Sequence, residues 1–99
     1  MKPFERFKAA NTEGNLWIYI VSLARNEEVC DDEVRKIIFE KFGFLPGNLL
    51  IKTVLHRLRT QGYIETDRRK GKRSYKATGK GLAELEKMRG FHQDLLQKI

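Results

Sequence analysis

The side chains of this sequence best suited to proton, thiol or metal chemistry are His56, His92, Cys30 and five carboxylates within seven residues, Glu27, Glu28, Asp31, Asp32 and Glu33. Their arrangement does not support such chemistry. The two histidines are far apart in the chain, and neither has a metal-ligand spacing. Cys30 is the only cysteine, so it has no partner for an internal disulfide or a Cys-rich zinc site. Its neighbours are carboxylates rather than the cations that favour a reactive thiolate. The acidic group is better explained as the solvated start of a helix than as a hard-cation site, because carboxylates stabilise a helix N-terminus. Gly79-Lys80-Gly81 lacks the spacing of a phosphate-binding P-loop. No catalytic residue, no metal and no cofactor is therefore expected, and the chain is not read as an enzyme.

The distribution of charge is more informative. The chain has 20 Lys and Arg against 13 Asp and Glu, a net charge of +7. Seven of the basic residues and none of the acidic ones lie in the 13-residue segment Arg68–Lys80, so the other 86 residues are balanced. Scattered lysines serve solubility. Complete segregation suits a phosphate backbone, because each neutralised phosphate releases condensed counterions. The segment has no interleaved apolar face with which to enter a membrane surface. The longest apolar run, Leu16–Val21, is too short to span a bilayer. The first residues, Met1-Lys2-Pro3-Phe4-Glu5, contain no apolar signal-peptide core. These features predict a soluble, cytoplasmic, nucleoid-associated protein whose partner is nucleic acid.

Ninety-nine residues, 40% of them hydrophobic, fit one domain with a small core. Residues 1–12, with Phe4 and Phe7 three apart, are expected to form a short helical arm. Asn15 can cap a helix from Leu16 to about Arg25 with apolar residues nearly all round, and the surplus face around Trp17 and Tyr19 suggests a partner subunit. A second helix opens at Cys30-Asp31-Asp32-Glu33 with Asp31 or Asp32 as cap. It carries Val34, Ile37, Ile38 and Phe42 at helical spacing, and Gly43 ends it. A third helix runs from about Asn48 to Gln61 and stops at Gly62. Tyr63–Asp67 and Ser74–Ala77 read as strands around a turn at Lys70-Gly71-Lys72, a hairpin with a basic tip. Thr78 caps a last helix, residues 79–99, on which Leu85, Met88, His92, Leu95 and Ile99 keep a heptad-like spacing.

This order of elements resembles a winged helix-turn-helix domain, an α+β and mainly helical fold of three helices, a two-stranded basic wing and a long C-terminal helix. The resemblance is most specific at Leu55-His56-Arg57-Leu58-Arg59-Thr60-Gln61-Gly62-Tyr63-Ile64-Glu65, which is similar to the passage from recognition helix to wing in this superfamily. Tyr75-Lys76-Ala77-Thr78-Gly79-Lys80-Gly81 is similar to the entry to the final helix of PadR-like regulators, and to small winged-helix proteins of archaea and their viruses. It differs from the PadR pattern at Lys52, where Tyr is common, and at Ala77, where Leu is. The resemblance covers about residues 13 to 85. It implies sequence-specific binding of double-stranded DNA and transcriptional regulation by a homodimer.

The residues support that reading. On the third helix Ile51, Val54, Leu55 and Leu58 share a core face, and the opposite face carries Leu49, Lys52, Thr53, His56 and Thr60. Asn48, Lys52 and Thr53, toward the N-terminus, are expected to reach base edges, with His56 and Arg57 closer to phosphates. Arg68, Arg69, Lys70, Lys72 and Arg73 of the wing are expected along the backbone or in a minor groove, where Arg is favoured. Tyr75 is expected to pack rather than to stack on a base. Leu85, Met88, His92, Leu95 and Ile99 are expected to pair with a second copy. With no room for a separate effector domain, regulation is expected to act by occupying DNA. Two other uses compete: an architectural chromatin protein of weak sequence preference, and a winged helix used for protein interaction.

Overall fold

The computed structural model describes residues 1–68 and 70–99 in full and residue 69 by its backbone alone. Five α-helices and a small sheet follow in the order α1 (Pro3–Ala10), α2 (Leu16–Leu23), β1 (Val29–Cys30), α3 (Val34–Phe42), α4 (Asn48–Gln61), β2 (Ile64–Arg69), β3 (Lys72–Ala77) and α5 (Gly79–Lys98). The sheet is antiparallel with strand order β1-β3-β2. This is the α+β, mainly helical fold expected, with a third strand that the sequence does not predict.

Leu16, Ile20, Val21 and Ala24 bury α2 against α4 and α5, where they meet Ile51, Leu55, Leu58 and Leu85. The helix ends at Leu23, short of the predicted Arg25. Part of its apparent surplus face is used within the chain. The Tyr19 ring meets Phe42 and Phe44 edge-on at 4.8 and 4.9 Å, and its hydroxyl donates to the Asn11 carbonyl. Tyr19 therefore anchors the end of the N-terminal arm. The arm is the helix α1, none of whose residues is buried.

Cys30 does not open a helix as predicted. Val29 and Cys30 pair with Tyr75 and Ser74 of β3, because Val29 has an apolar face to bury in the sheet. Asp31–Glu33 forms one 3₁₀ turn, and α3 starts at Val34 without a side-chain cap. Gly43 and Gly62 end α3 and α4 in the left-handed region, as expected.

The hairpin is longer than its sequence pattern suggests. Its ladder runs from Ile64↔Ala77 to Arg69↔Lys72, leaving only Lys70 and Gly71 as loop. Both have positive φ, 53° and 77°, the form of two-residue turn whose twist matches paired strands. Lys72, predicted in the turn, is in β3. Thr78 caps α5 by accepting from the Gly81 amide at 3.1 Å. Any side chain at residue 81 would strike the Tyr63 carbonyl oxygen, so only glycine lets α5 sit this close to the start of the hairpin.

Tyr75 holds the sheet to the helices. Its ring is fully buried, and its hydroxyl donates to the Ile20 carbonyl at 2.7 Å. Burial, reinforced by the nearby Asp31 carboxylate, pushes the Tyr75 pKa far above the ordinary 10.0. A raised folded pKa means that the stability Tyr75 contributes is full below pH 10 and declines above it, where the unfolded chain ionises first. Tyr75→Phe leaves the Ile20 carbonyl without its donor, at a cost of about 1–3 kcal/mol. Urea unfolding should show the variant less stable at about pH 7, and the gap to wild type should narrow as pH rises above the ordinary tyrosine pKa of about 10.

Candidate nucleic-acid interface

Helix α4 has one wall in the core and one in solvent. Ile51, Leu55 and Leu58 are buried, whereas Asn48, Leu49, Lys52, Thr53, His56, Arg57 and Thr60 are exposed. The Thr53 hydroxyl donates to the Leu49 carbonyl at 2.9 Å, so only its lone pairs and its methyl group remain for a ligand. Asn48, Lys52 and His56 line a groove of about 580 Å³ whose other walls are Asp31, Asp32 and Arg35 on one side and Arg73 of β3 on the other. The structure thus brings three of the five predicted α4 residues to the same groove as a wing arginine. Arg57 faces away from it. It lines a second groove of about 530 Å³ between α2, α4 and α5, with Trp17, Val54 and Met88.

Among the described residues, none of Arg68, Lys70, Lys72 and Arg73 forms an ion pair, while Arg25, Lys36, Arg59, Lys87, Arg89 and Lys98 all do. Arg68 stands opposite Arg73 in the ladder, and like charges in directly opposed positions destabilise a hairpin. An anion between them would relieve that repulsion. The side chain of Arg69, one of the predicted wing contacts, lies outside the described residues. The two remaining cations of the segment have other surroundings. Lys76 stands opposite Glu65. Lys80 donates to the Gln61 carbonyl at 2.7 Å and lies 4.7 Å from the Tyr63 ring, where it caps the C-terminal end of α4.

Arg59, which the sequence pattern does not single out, fixes the wing relative to α4. Its guanidinium donates to Asp31 at 2.7 Å, to the Thr66 hydroxyl at 2.6 Å and to the Ser74 carbonyl at 3.4 Å. One side chain of α4 therefore grips the 3₁₀ turn before α3 and both strands of the hairpin. The Asp31 carboxylate, predicted as a helix cap, is its counter-ion. Nothing in the local pattern distinguishes Arg59 from Arg57, because the partners come from 28 residues upstream and 15 downstream.

Helix α5 divides in two. Leu85 is 2% exposed and belongs to the core, which corrects its predicted place in a seam between copies. Met88 and His92 are half-buried, whereas Phe91, Leu95, Leu96 and Ile99 stand exposed on the last part of the helix. Phe91 and Leu96 lie outside the heptad spacing, so the sequence pattern does not point to them. Gly90 has nothing within 4 Å of the position a side chain would take. Among the described residues, no group of three or more His, Cys, Asp and Glu is placed to hold a metal ion, and no helix is long and apolar enough to cross a membrane.

The fold has several solved counterparts, all at low sequence identity. A PadR-family transcriptional regulator from Eggerthella lenta superposes with a TM-score of 0.76 at 18% identity, covering 96% of this chain and 87% of that one. A winged-helix DNA-binding protein from STIV gives 0.71 at 14%, covering 85% and 92%. PadR of Bacillus subtilis, solved in complex with operator DNA, gives 0.63 at 22%, covering 74% of this chain and 45% of that one. The fold is a winged helix. No protein-family model matches the chain, and no curated protein does.

The grip of Arg59 generates a stability test. With side chains only 15% and 18% exposed, the Arg59–Asp31 pair is shielded from solvent. Arg59→Met should lower unfolding free energy on the order of 3 kcal/mol, the range for removing one partner of a buried pair. Arg59→Lys, which keeps the charge without the planar fork, should recover less than half of that loss in urea titration.

Proposed function

We propose that this protein binds double-stranded DNA sequence-specifically as a homodimer and regulates transcription by occupying its sites. The observation that carries the reading is the set of Arg68, Lys70, Lys72 and Arg73, which form no ion pair among the described residues, beside the exposed face of α4, in a chain whose other charges balance. In this reading α4 lies in a major groove. Asn48, Lys52 and Thr53 meet base edges there, and His56 and Arg57 reach phosphates from either side of the helix. Arg68, Arg69, Lys70, Lys72 and Arg73 follow the backbone or enter the adjacent minor groove. The solved counterparts described as transcriptional regulators or DNA-binding proteins, one of them holding operator DNA, support it.

The dimer follows from α5. Residues 79–99 act as the dimerisation helix of a single domain whose residues 1–12 form an arm. Exposed apolar side chains clustered on one helix are usually covered by a partner. Pairing Met88, His92, Leu95 and Ile99 with the same residues of a second copy is isologous. It would set two α4 helices to address half-sites about 34–36 Å apart. Such a protein works in the cytoplasm, associated with the nucleoid, and needs no cofactor.

Three measurements test this. Replacing Arg68, Lys72 and Arg73 by Ala should weaken binding to every duplex and reduce the slope of log K against log salt by up to about 0.9 for each phosphate no longer neutralised. An unchanged slope would remove the wing from the interface. Lys52→Ala should instead narrow the gap between specific and random DNA by roughly 1–3 kcal/mol, the value of a good base contact. Sedimentation equilibrium should find a dimer at micromolar concentration and a monomer for Leu95→Glu/Ile99→Glu. A wild-type monomer would refute the dimer.

A further inference from the structure

The outermost ridge of α4 carries no fixed positive charge. Leu49, Thr53, His56 and Thr60 follow at steps of four, three and four residues, on the face opposite Ile51, Leu55 and Leu58. The hydroxyls of Thr53 and Thr60 donate to the carbonyls of Leu49 and His56, each at 2.9 Å. Both threonines are left with a methyl group and acceptor lone pairs and no free donor. Leu49, one turn before Thr53, is 78% exposed and belongs neither to the core nor to the residues packed around it. The ridge therefore begins with an apolar surface in the half of the helix that the docking geometry brings nearest to base edges.

We propose that Leu49, together with the Thr53 methyl group, reads the C5-methyl of a thymine in the major groove, which makes Leu49 a specificity-determining residue. The proposal rests on the DNA-binding reading above. Thymine is the one base whose major-groove edge carries an apolar group. The surroundings of Leu49 favour this occupant over an apolar protein surface. Lys52 lies beside it on the helix and lines a groove in which the cations Arg35, Lys52, Arg59 and Arg73 outnumber the carboxylates Asp31 and Asp32. A polyanion is drawn to that setting, and an apolar partner would have to leave those charges desolvated. Exchange of a hydrated leucine for contact with a methyl group is favourable, whereas the amino and carbonyl edges of the other bases would lose water without gaining a partner.

Duplexes retained from a random-sequence pool by the wild-type protein define its site. Each thymine of the site is then replaced in turn by deoxyuridine, which lacks only the C5-methyl, and equilibrium binding is measured for wild type and Leu49→Ala. The exposure of Leu49 leaves the fold of the variant intact, which circular dichroism and Tm verify. The expected result is one thymine per half-site at which deoxyuridine weakens wild-type binding about fourfold, the equivalent of roughly 0.8 kcal/mol per buried carbon. At that position the deoxyuridine penalty should be smaller for Leu49→Ala than for wild type, what remains being the contact of the Thr53 methyl group. Tolerance of deoxyuridine at every position, or an equal penalty in both proteins, overturns the proposal and leaves DNA binding intact. Salt-dependent binding to all duplexes with no sequence enriched does the same. A protein that binds no duplex overturns the DNA-binding reading and this proposal with it.

Discussion

The tie between Arg59 and its three partners is the constraint on which the rest of the molecule depends. A winged helix works as a binding surface only if the wing and the outward helix hold a fixed relation. Arg59 supplies the link, with Asp31 as its counter-ion and Thr66 and the Ser74 backbone as its acceptors on the hairpin. Tyr75 completes the attachment from beneath, buried against the helices with its hydroxyl on Ile20. Charge-assisted bonds near the surface and one neutral bond in the core thus orient the hairpin.

The hairpin tip is the second organising feature. Placing Arg68 opposite Arg73 opposes hairpin formation, and the turn adds a positive φ at the non-glycine Lys70. These costs are tolerable because the base of the hairpin is firmly held by Ile64, Tyr75 and the extra strand Val29–Cys30.

Helix α5 shows how one element serves two environments. Its first half is forced close to the hairpin, where Gly81 alone fits against Tyr63 and Leu85 closes the core. Its second half leaves Phe91, Leu95, Leu96 and Ile99 exposed. The boundary between the two falls near Met88 and His92, which are half-buried.

The element order, the helix ends at Gly43 and Gly62, the core face of α4 and the local excess of positive charge were all legible in the sequence, because each rests on neighbours within a turn or two: helical periodicity, a left-handed glycine, a run of like charges. The burial of Tyr75 was legible too, since a lone aromatic on a short strand has the core as its natural place. The strand Val29–Cys30 was not, because two residues carry no periodicity and only pairing with β3 makes them a strand. Nor were the roles of Arg59, Lys80 and Tyr19, whose partners at Asp31, Gln61 and Asn11 are brought near by folding. Cations look alike in a sequence. The tertiary structure decides which are neutralised by the fold and which face solvent unpaired, because an ion pair depends on distance in space, which spacing along the chain does not record.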